Sequence, residues 1–111
     1  MSARLASGLW VEAYLMRLSA EGIMAVVARR GDATAGAISV KLCRMDGRAT
    51  VFARTYDLTT GERHWEVMEE GAEEEIDAML ERQAGRDRDL WIIAVDDPSG
   101  RHLLDDPGLS V

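Results

Sequence analysis

Arg29-Arg30-Gly31-Asp32-Ala33-Thr34-Ala35-Gly36 is a charged stretch that separates two apolar runs, Ile23 to Ala28 and Ala37 to Leu42. Apolar runs of this length are typical of β-strands when they are rich in Val and Ile. The glycines at both ends of the charged stretch permit backbone angles that other residues resist. We therefore predict two strands joined by a tight charged loop. Because binding residues concentrate on loops that a rigid scaffold positions, we expect a functional surface to begin here.

The two strands beside this loop have different patterns. Ile23 to Ala28 is apolar at every position, which predicts a central strand that is covered on both faces. From Ala37 to Arg44, by contrast, the apolar residues Ile38, Val40 and Leu42 alternate with more polar ones. This second strand should therefore have one core face and one more polar face.

Two further strands are predicted after these runs. Asp46-Gly47 is a residue pair favoured by a two-residue hairpin turn, and the alternating pattern from Arg48 to Thr55 follows it. After a polar turn at Asp57 to Gly61, the run from Glu62 to Glu69 has glutamates between its apolar residues. Charges of this kind prevent an edge strand from pairing with other chains, so the fourth strand should be peripheral.

Helical spacing lies on either side of this group of strands. Apolar residues at i, i+3, i+4 and i+7 predict a helix from about Gly8 to Glu21, which Ser7 would cap and Gly22 would terminate. A second helix is predicted to end at Gly85, with three glutamates at its positive N-terminal end. The stripe of this second helix consists of Ile76, Met79, Leu80 and Gln83.

The last strand is predicted at Leu90 to Val95, whose uninterrupted apolar character again indicates a central position. The element order is then α-β-β-β-β-α-β, with the first four strands in a meander. This order predicts an α+β fold with a mostly antiparallel sheet of four to five strands and two helices packed on one face. At 111 residues, the chain is expected to form one domain spanning residues 1–111.

Charge is divided unevenly along the chain. Residues 1–54 carry eight basic and four acidic side chains, whereas residues 55–111 carry five basic and sixteen acidic ones, for a net charge of −7. The acidic total argues against nucleic-acid binding, which depends on clustered Lys and Arg. The basic half is able to bind one anion, and the alternative is that the two halves lie against each other and neutralise.

Cysteine use and hydropathy indicate a cytoplasmic protein. The single cysteine, Cys43, has no partner for an internal disulfide and lies within an apolar strand pattern, so we expect a buried thiol in a reducing compartment. No apolar run approaches the roughly 20 residues that cross a bilayer. The start of the chain also lacks the apolar core of a signal peptide, so we expect no membrane contact.

No cluster of residues in the sequence specifies a reaction. One cysteine with two histidines, His64 and His102, is too small a set for a closed zinc site, and the acidic runs lack the spacing of a calcium loop. We therefore expect no metal, no cofactor and no catalytic residue. Of the three tryptophans, Trp65 and Trp91 should be core, and Trp10 is the candidate for contact with a partner.

Our hypothesis from the residues is a non-enzymatic binding or adaptor domain that uses the charged loop from Arg29 to Gly36. The expected partner is an unidentified protein or a small anionic ligand, and a homodimer is among the expected assemblies. The alternative is a small enzyme that acts on an anionic metabolite, with a site completed by oligomerisation. The predicted ligand-binding residues are Arg29, Arg30, Asp32, Lys41, Arg101 and His102. The last two would join the others if the tail folds back over the sheet, anchored by Leu103 and Leu104.

As a set, several segments resemble domain of unknown function family 1491, a family of short bacterial proteins. The segments that carry the resemblance are Ser7 to Leu15, Arg29 to Ala33, Gly36 to Ile38 with Lys41, Asp89 to Trp91 and Gly100 to Leu104. The resemblance spans nearly the whole chain and implies a single-domain member of that family. It implies no activity, because the family has none assigned.

Overall fold

The computed structural model describes residues 5–109, and for Tyr56 the backbone alone. In chain order, the elements of this part are α1 (Ser7–Ala20), β1 (Met24–Arg29), β2 (Ile38–Cys43), β3 (Arg48–Tyr56), β4 (Arg63–Ala72), α2 (Glu73–Arg86), β5 (Trp91–Asp96) and a 3₁₀ turn (Pro107–Leu109). The predicted α+β class and the order α-β-β-β-β-α-β are confirmed. Within the described residues, neither helix has the length and apolar character that a bilayer-spanning helix needs.

The strands form one mixed sheet in the order β1-β5-β2-β3-β4. β5 is antiparallel to β1 and parallel to β2, whereas β2, β3 and β4 pair antiparallel in succession. The mostly antiparallel sheet and the central position of β5 are therefore confirmed. The predicted four-strand meander is wrong, because β5 inserts between β1 and β2. The loop from Arg29 to Gly36 is consequently a crossover past β5 and not a tight hairpin.

β1 lies at one edge of the sheet, so its predicted central position is also wrong. Met24 and Val26 are 68% and 58% exposed, and Val27 is 38% exposed. An apolar run shows that residues suit a strand, but burial of both faces also requires a helix on each side. Only the face of β1 that contains Ala25 packs against the core beside α1.

The two helices pack on opposite faces of the sheet, which corrects the prediction that both lie on one face. The α1 face holds the larger core, formed by Trp10, Val11, Tyr14, Leu18, Ile38, Val40, Leu42, Trp91, Ile93 and Val95 together with smaller contributions. The α2 face holds a second core of Ala49, Val51, Ile76, Leu80, Ala84, Leu90 and Ile92. Both cores draw on β5, because successive side chains of a strand point to opposite faces.

β4 is the edge strand opposite to β1, as its glutamates predicted. Its register with β3 places Trp65 opposite Arg54 and Val67 opposite Phe52. The turn between β2 and β3 lies where Asp46-Gly47 predicted it, but it is longer than two residues. The left-handed positions in this turn are Met45 and Gly47, with φ values of 65° and 86°.

The ends of α1 show one correct and one incorrect expectation. Gly22 has φ 71° and donates its N–H to the Ser19 carbonyl, while Ile23 donates to Leu18, which is the Schellman arrangement. The predicted cap, Ser7, is inside the helix, whose N-cap residue is Ala6. The Ser7 hydroxyl instead donates to the Gly36 carbonyl at 2.6 Å and ties α1 to the crossover loop.

Candidate functional site

A cavity opens on the α1 face between β3, β4 and the C-terminal segment, residues 101–109. We call it the tail cavity. Its volume is about 330 Å³, which lies at the lower end of the range for small-molecule sites. Its apolar lining comes from Phe52, Trp65, Leu104, Pro107 and Leu109. Its polar lining comes from Arg54, Arg63, His64, His102, Asp105 and Asp106.

Arg54 belongs to an aromatic cluster at the wall of the tail cavity. The carbon of its guanidinium lies 5.3 Å from the ring centre of Trp10 and 5.7 Å from that of Trp65. Trp10 stacks on Tyr14 at 4.8 Å and is tilted against Trp65 at 5.3 Å. Since the negative ring faces attract a guanidinium, the cluster fixes the position of this cation.

The tryptophans differ from their predicted roles. Trp10 is 0% exposed, so the prediction that it contacts a partner is wrong. Its position in the first helical turn faces the sheet, where the indole Nε1–H donates to the Leu109 carbonyl at 2.9 Å. Trp65 is half-buried and lines the tail cavity, while Trp91 is a buried core residue, as predicted.

The C-terminal segment forms the outer wall of the tail cavity and folds back over the sheet. Leu104 is buried in the core of the α1 face. The Tyr14 hydroxyl donates to the His102 carbonyl at 2.7 Å, and burial raises the pKa of Tyr14, so this hydroxyl keeps its proton. An ion pair between Arg17 and Asp106 adds a third link to α1, after those from Trp10 and Tyr14.

His102 is a neutral hydrogen-bond donor at the cavity. Burial lowers the pKa of His102 from its usual value of 6.5, so the ring is uncharged at neutral pH. Its Nδ1 accepts the Leu104 N–H at 3.0 Å, which places the proton of the neutral ring on Nε2. The ring lies against Phe52, with 4.6 Å between centres. Leu103, between the two bonded residues, has a left-handed backbone with φ 57°.

His64 lies at the rim, and its geometry argues against nucleophilic catalysis. Its Nε2 is 2.9 Å from the Thr55 hydroxyl and 2.7 Å from a Glu66 carboxylate oxygen. In a catalytic triad, the hydroxyl and the carboxylate contact opposite nitrogens of the imidazole, so that one orients the ring while the other loses a proton. Here both groups share one nitrogen, and the relay is not formed.

Polar groups of the predicted loop, Arg29 to Gly36, form hydrogen bonds within the loop and with neighbouring segments. The Asp32 carboxylate accepts the N–H groups of Thr34 and Ala35 at 3.2 and 2.8 Å. The Asp32 carbonyl accepts the Trp91 indole N–H at 2.8 Å, and the Asp32 N–H donates to Asp89. A Cβ on Gly36 would lie 2.2 Å from the Asp89 carbonyl oxygen. These contacts define a tightly packed crossing.

Arg30 extends from the same loop and lies over the ring of Trp91, with 5.3 Å between the guanidinium carbon and the ring centre. Arg101 lies elsewhere. Its Nε and backbone N–H donate to the Asp97 carboxylate at 3.1 and 2.7 Å. Arg101 is not among the residues that line the tail cavity.

Lys41 lies in the middle of β2 on the α2 face and is held by carboxylates of α2. Its Nζ is 2.8 Å from Glu73 and 2.7 Å from Asp77. Burial lowers the pKa of Lys41, but the hydrogen bonds to Asp77 and Glu73 outweigh burial and raise it overall. Lys41 and Arg29 line one groove beside α2, together with the acidic Glu74, Asp77 and Glu81.

The six predicted residues are therefore divided among several places. The crossover loop meets the start of β5, because Asp32 bonds to Asp89, whereas Arg101 follows the end of β5. Lys41 and Arg29 share the groove on the α2 face, and His102 lines the tail cavity on the other face. No single surface in residues 5–109 collects all six.

Sequence reasoning missed the residues of β3 and β4 that line the tail cavity. Phe52 and Arg54 alternate on one face of β3, and Arg63 and Trp65 alternate on β4. Arginine and aromatic residues at alternate positions of two consecutive strands are the signal, because antiparallel pairing places them side by side on one face. Within the described part of the chain, no group of three or more potential metal ligands is gathered.

The fold and the cavity define a small α+β protein in which a mixed sheet separates one helix from the other and the C-terminal tail closes a cavity. The sequence model of the family "Protein of unknown function (DUF1491)" matches residues 5–105. The chain belongs to this family, which has no assigned function.

Solved structures of similar proteins have the same fold. A crystal structure of a DUF1491 family protein from Caulobacter crescentus CB15 is 39% identical, with a TM-score of 0.84, and covers 94% of this chain and 98% of its own. An NMR structure of a DUF1491 family protein from that organism is 38% identical, with a TM-score of 0.81, covering 96% and 97%. A solution structure of a protein from A. tumefaciens is 33% identical, with a TM-score of 0.72, covering 85% and 86%. No curated protein matches the chain.

Proposed function

We propose that this protein is a non-enzymatic binding domain whose tail cavity takes a small organic anion with a flat apolar part. The observation that carries the proposal is the lining of this cavity, where two arginines meet aromatic rings. A guanidinium pairs with a carboxylate or phosphate through two parallel hydrogen bonds. The rings of Phe52 and Trp65 offer flat apolar surface for the rest of the ligand.

His102 supports the preference for an anion. Its neutral ring presents an Nε2–H donor, and donors suit the oxygens of a carboxylate or phosphate. Of the acidic residues at the cavity, Asp106 is paired with Arg17, which reduces its repulsion toward an anion. A hydroxyl nucleophile at His64 is disfavoured because the hydroxyl and carboxylate contact the same nitrogen, so we propose binding as the role of the cavity.

Benzoate is a suitable first probe, with benzylamine as a cation of similar shape. We expect benzoate, but not benzylamine, to change the fluorescence of Trp65 and to shift NMR signals of the tail cavity. Arg54→Met should weaken benzoate binding by at least about tenfold, since an arginine–carboxylate interaction is worth roughly 1.5–3 kcal/mol. Arg63→Met is the second variant, in case Arg54→Met disturbs the tryptophan cluster.

Arg48→Met is the matched control, because Arg48 is an exposed arginine on the same strand that does not line the cavity. It should bind benzoate as the wild type does. Equal binding of benzoate and benzylamine, or equal loss in Arg48→Met and Arg54→Met, would contradict the proposal.

We also propose a cytoplasmic location. Cys43 is buried and free, and burial raises the pKa of its thiol, which keeps it protonated and unreactive. A reduced structural thiol fits a reducing compartment. Fractionation of the cells that produce the protein tests this location, and recovery in an oxidising compartment would contradict it.

A further inference from the structure

The free edge of β1 is an apolar feature of the sheet that the proposed function does not use. Within residues 5–109, β1 pairs only with β5, so its other side is open. Met24 and Val26 point to the α2 face and are 68% and 58% exposed. An open edge with exposed apolar side chains is a template for pairing with another strand.

The opposite edge strand of the same sheet, β4, carries charges that protect it from pairing with other chains. β4 carries Glu66, Glu69 and Glu70 along its length, and all three are exposed. β1 has no charged residue from Met24 to Ala28. Its one irregularity is a bulge between Val27 and Arg29, which leaves the segment from Met24 to Val27 regular and able to pair.

The charges at the two ends of β1 make its edge complementary to a second copy of itself. Exposed Glu21 precedes the strand, whereas Arg29 and Arg30 end it. Antiparallel pairing of two identical strands places the acidic start of one beside the basic end of the other, whereas parallel pairing would place like charges together.

We propose that the partner of the β1 edge is a second copy of this chain, paired antiparallel about a two-fold axis so that the two sheets become one. Residues opposite each other must then lie on the same face of the joint sheet. Within the regular segment from Met24 to Val27, the register that satisfies this rule and covers the exposed apolar side chains places Ala25 opposite Ala25 of the other copy. Met24 then lies opposite Val26, and the exposed apolar side chains cover each other.

Sedimentation velocity over a concentration series tests the assembly. A single-strand contact is small for an interface, so we expect a weak dimer with a Kd in roughly the micromolar range or above. Val26→Lys should raise this Kd by at least about tenfold, since it places like charges close to the two-fold axis. A wild type that stays monomeric up to about 1 mM would overturn the proposal.

Val67→Lys is the matched control, because Val67 is 56% exposed on the opposite edge strand, close to the 58% of Val26. It should leave the Kd unchanged. If Val67→Lys dissociates the dimer and Val26→Lys does not, the dimer forms at β4 and our assignment is wrong. Circular dichroism and the melting temperature of each variant establish that a change in Kd does not come from unfolding.

A charge exchange tests the antiparallel orientation independently. Glu21→Arg and Arg29→Glu should each raise the Kd, and the double variant should restore it, because the acidic and basic ends of the two strands then face each other again with their signs reversed. Additive losses in the double variant would overturn the proposed antiparallel orientation.

Discussion

The crossover loop and the tail cavity both place arginine against tryptophan, yet they use these contacts in different ways. In the loop, Arg30 covers the outside of Trp91, and the Asp32 carboxylate closes its own turn. In the cavity, Arg54 lies against Trp10 and Trp65 beside an open volume of about 330 Å³. The difference teaches that charge density along a sequence does not identify a site. What matters here is whether the fold leaves open space beside the charged groups.

The largest effect is expected in the loop, from Gly36→Ala. The new Cβ would lie 2.2 Å from the Asp89 carbonyl oxygen and 2.9 Å from the Asp32 nitrogen, and both are backbone atoms that cannot move alone. We expect the free energy of unfolding to fall by about 1–3 kcal/mol or more, as overpacking does elsewhere. Urea denaturation measures this loss.

Gly85→Ala is the control for that experiment. Gly85 lies in α2, and an added Cβ there meets nothing within 4 Å. Alanine should therefore stabilise the protein by roughly 0.5–1 kcal/mol. If Gly36→Ala left the free energy of unfolding unchanged, the loop would be loosely packed, and the contrast with the tail cavity would fail.

A smaller effect is expected from Arg30→Ala, which sharpens the distinction between loop and cavity. The cation–π contact of Arg30 with Trp91 is exposed, so its loss should reduce the free energy of unfolding by only about 0.5–1 kcal/mol. Benzoate binding in the tail cavity should not change. Arg82→Ala, at an exposed position of α2, serves as the control for removal of a surface arginine. Loss of benzoate binding in Arg30→Ala would contradict the tail cavity as the binding site and favour the loop that the sequence predicted.

The smallest effect is the pH dependence that His102 gives to the cavity wall. Burial lowers its folded pKa below the usual 6.5. The unfolded chain therefore takes up a proton first as the pH falls below about 6.5, so stability is complete above this value and declines toward the lowered folded pKa. His102→Gln should flatten the dependence of the melting temperature on pH just below 6.5. Parallel curves for the two proteins would contradict a buried neutral ring.

Most of the secondary structure follows from local patterns, and particular residues show why. Gly22 ends α1 because the left-handed conformation there has no steric cost, a property that belongs to the residue itself. The glutamates of β4 indicate an edge because they would be expensive to bury. The apolar run of β5 suits a strand between two cores, and the structure places it there.

The same local reasoning failed for β1, since Met24 to Ala28 is as apolar as β5 and yet lies at an edge. Which of two similar strands becomes central depends on pairing between distant segments. Here β5, the last strand in the chain, inserts into the sheet and pairs with β2. The candidate site was also beyond local reasoning, because Arg54, Trp65 and His102 are brought together only by strand pairing and by the folded-back tail.

By itself, the sequence determined the class of fold, the order of its elements, the buried thiol of Cys43 and the protected edge at β4. These depend on residue chemistry over short distances, where side-chain period, backbone freedom and charge act directly. The tertiary structure alone decided that the helices lie on opposite faces, that β1 is left open and that the tail cavity exists. These depend on contacts between distant segments, because burial is a property of the whole fold and not of any one segment.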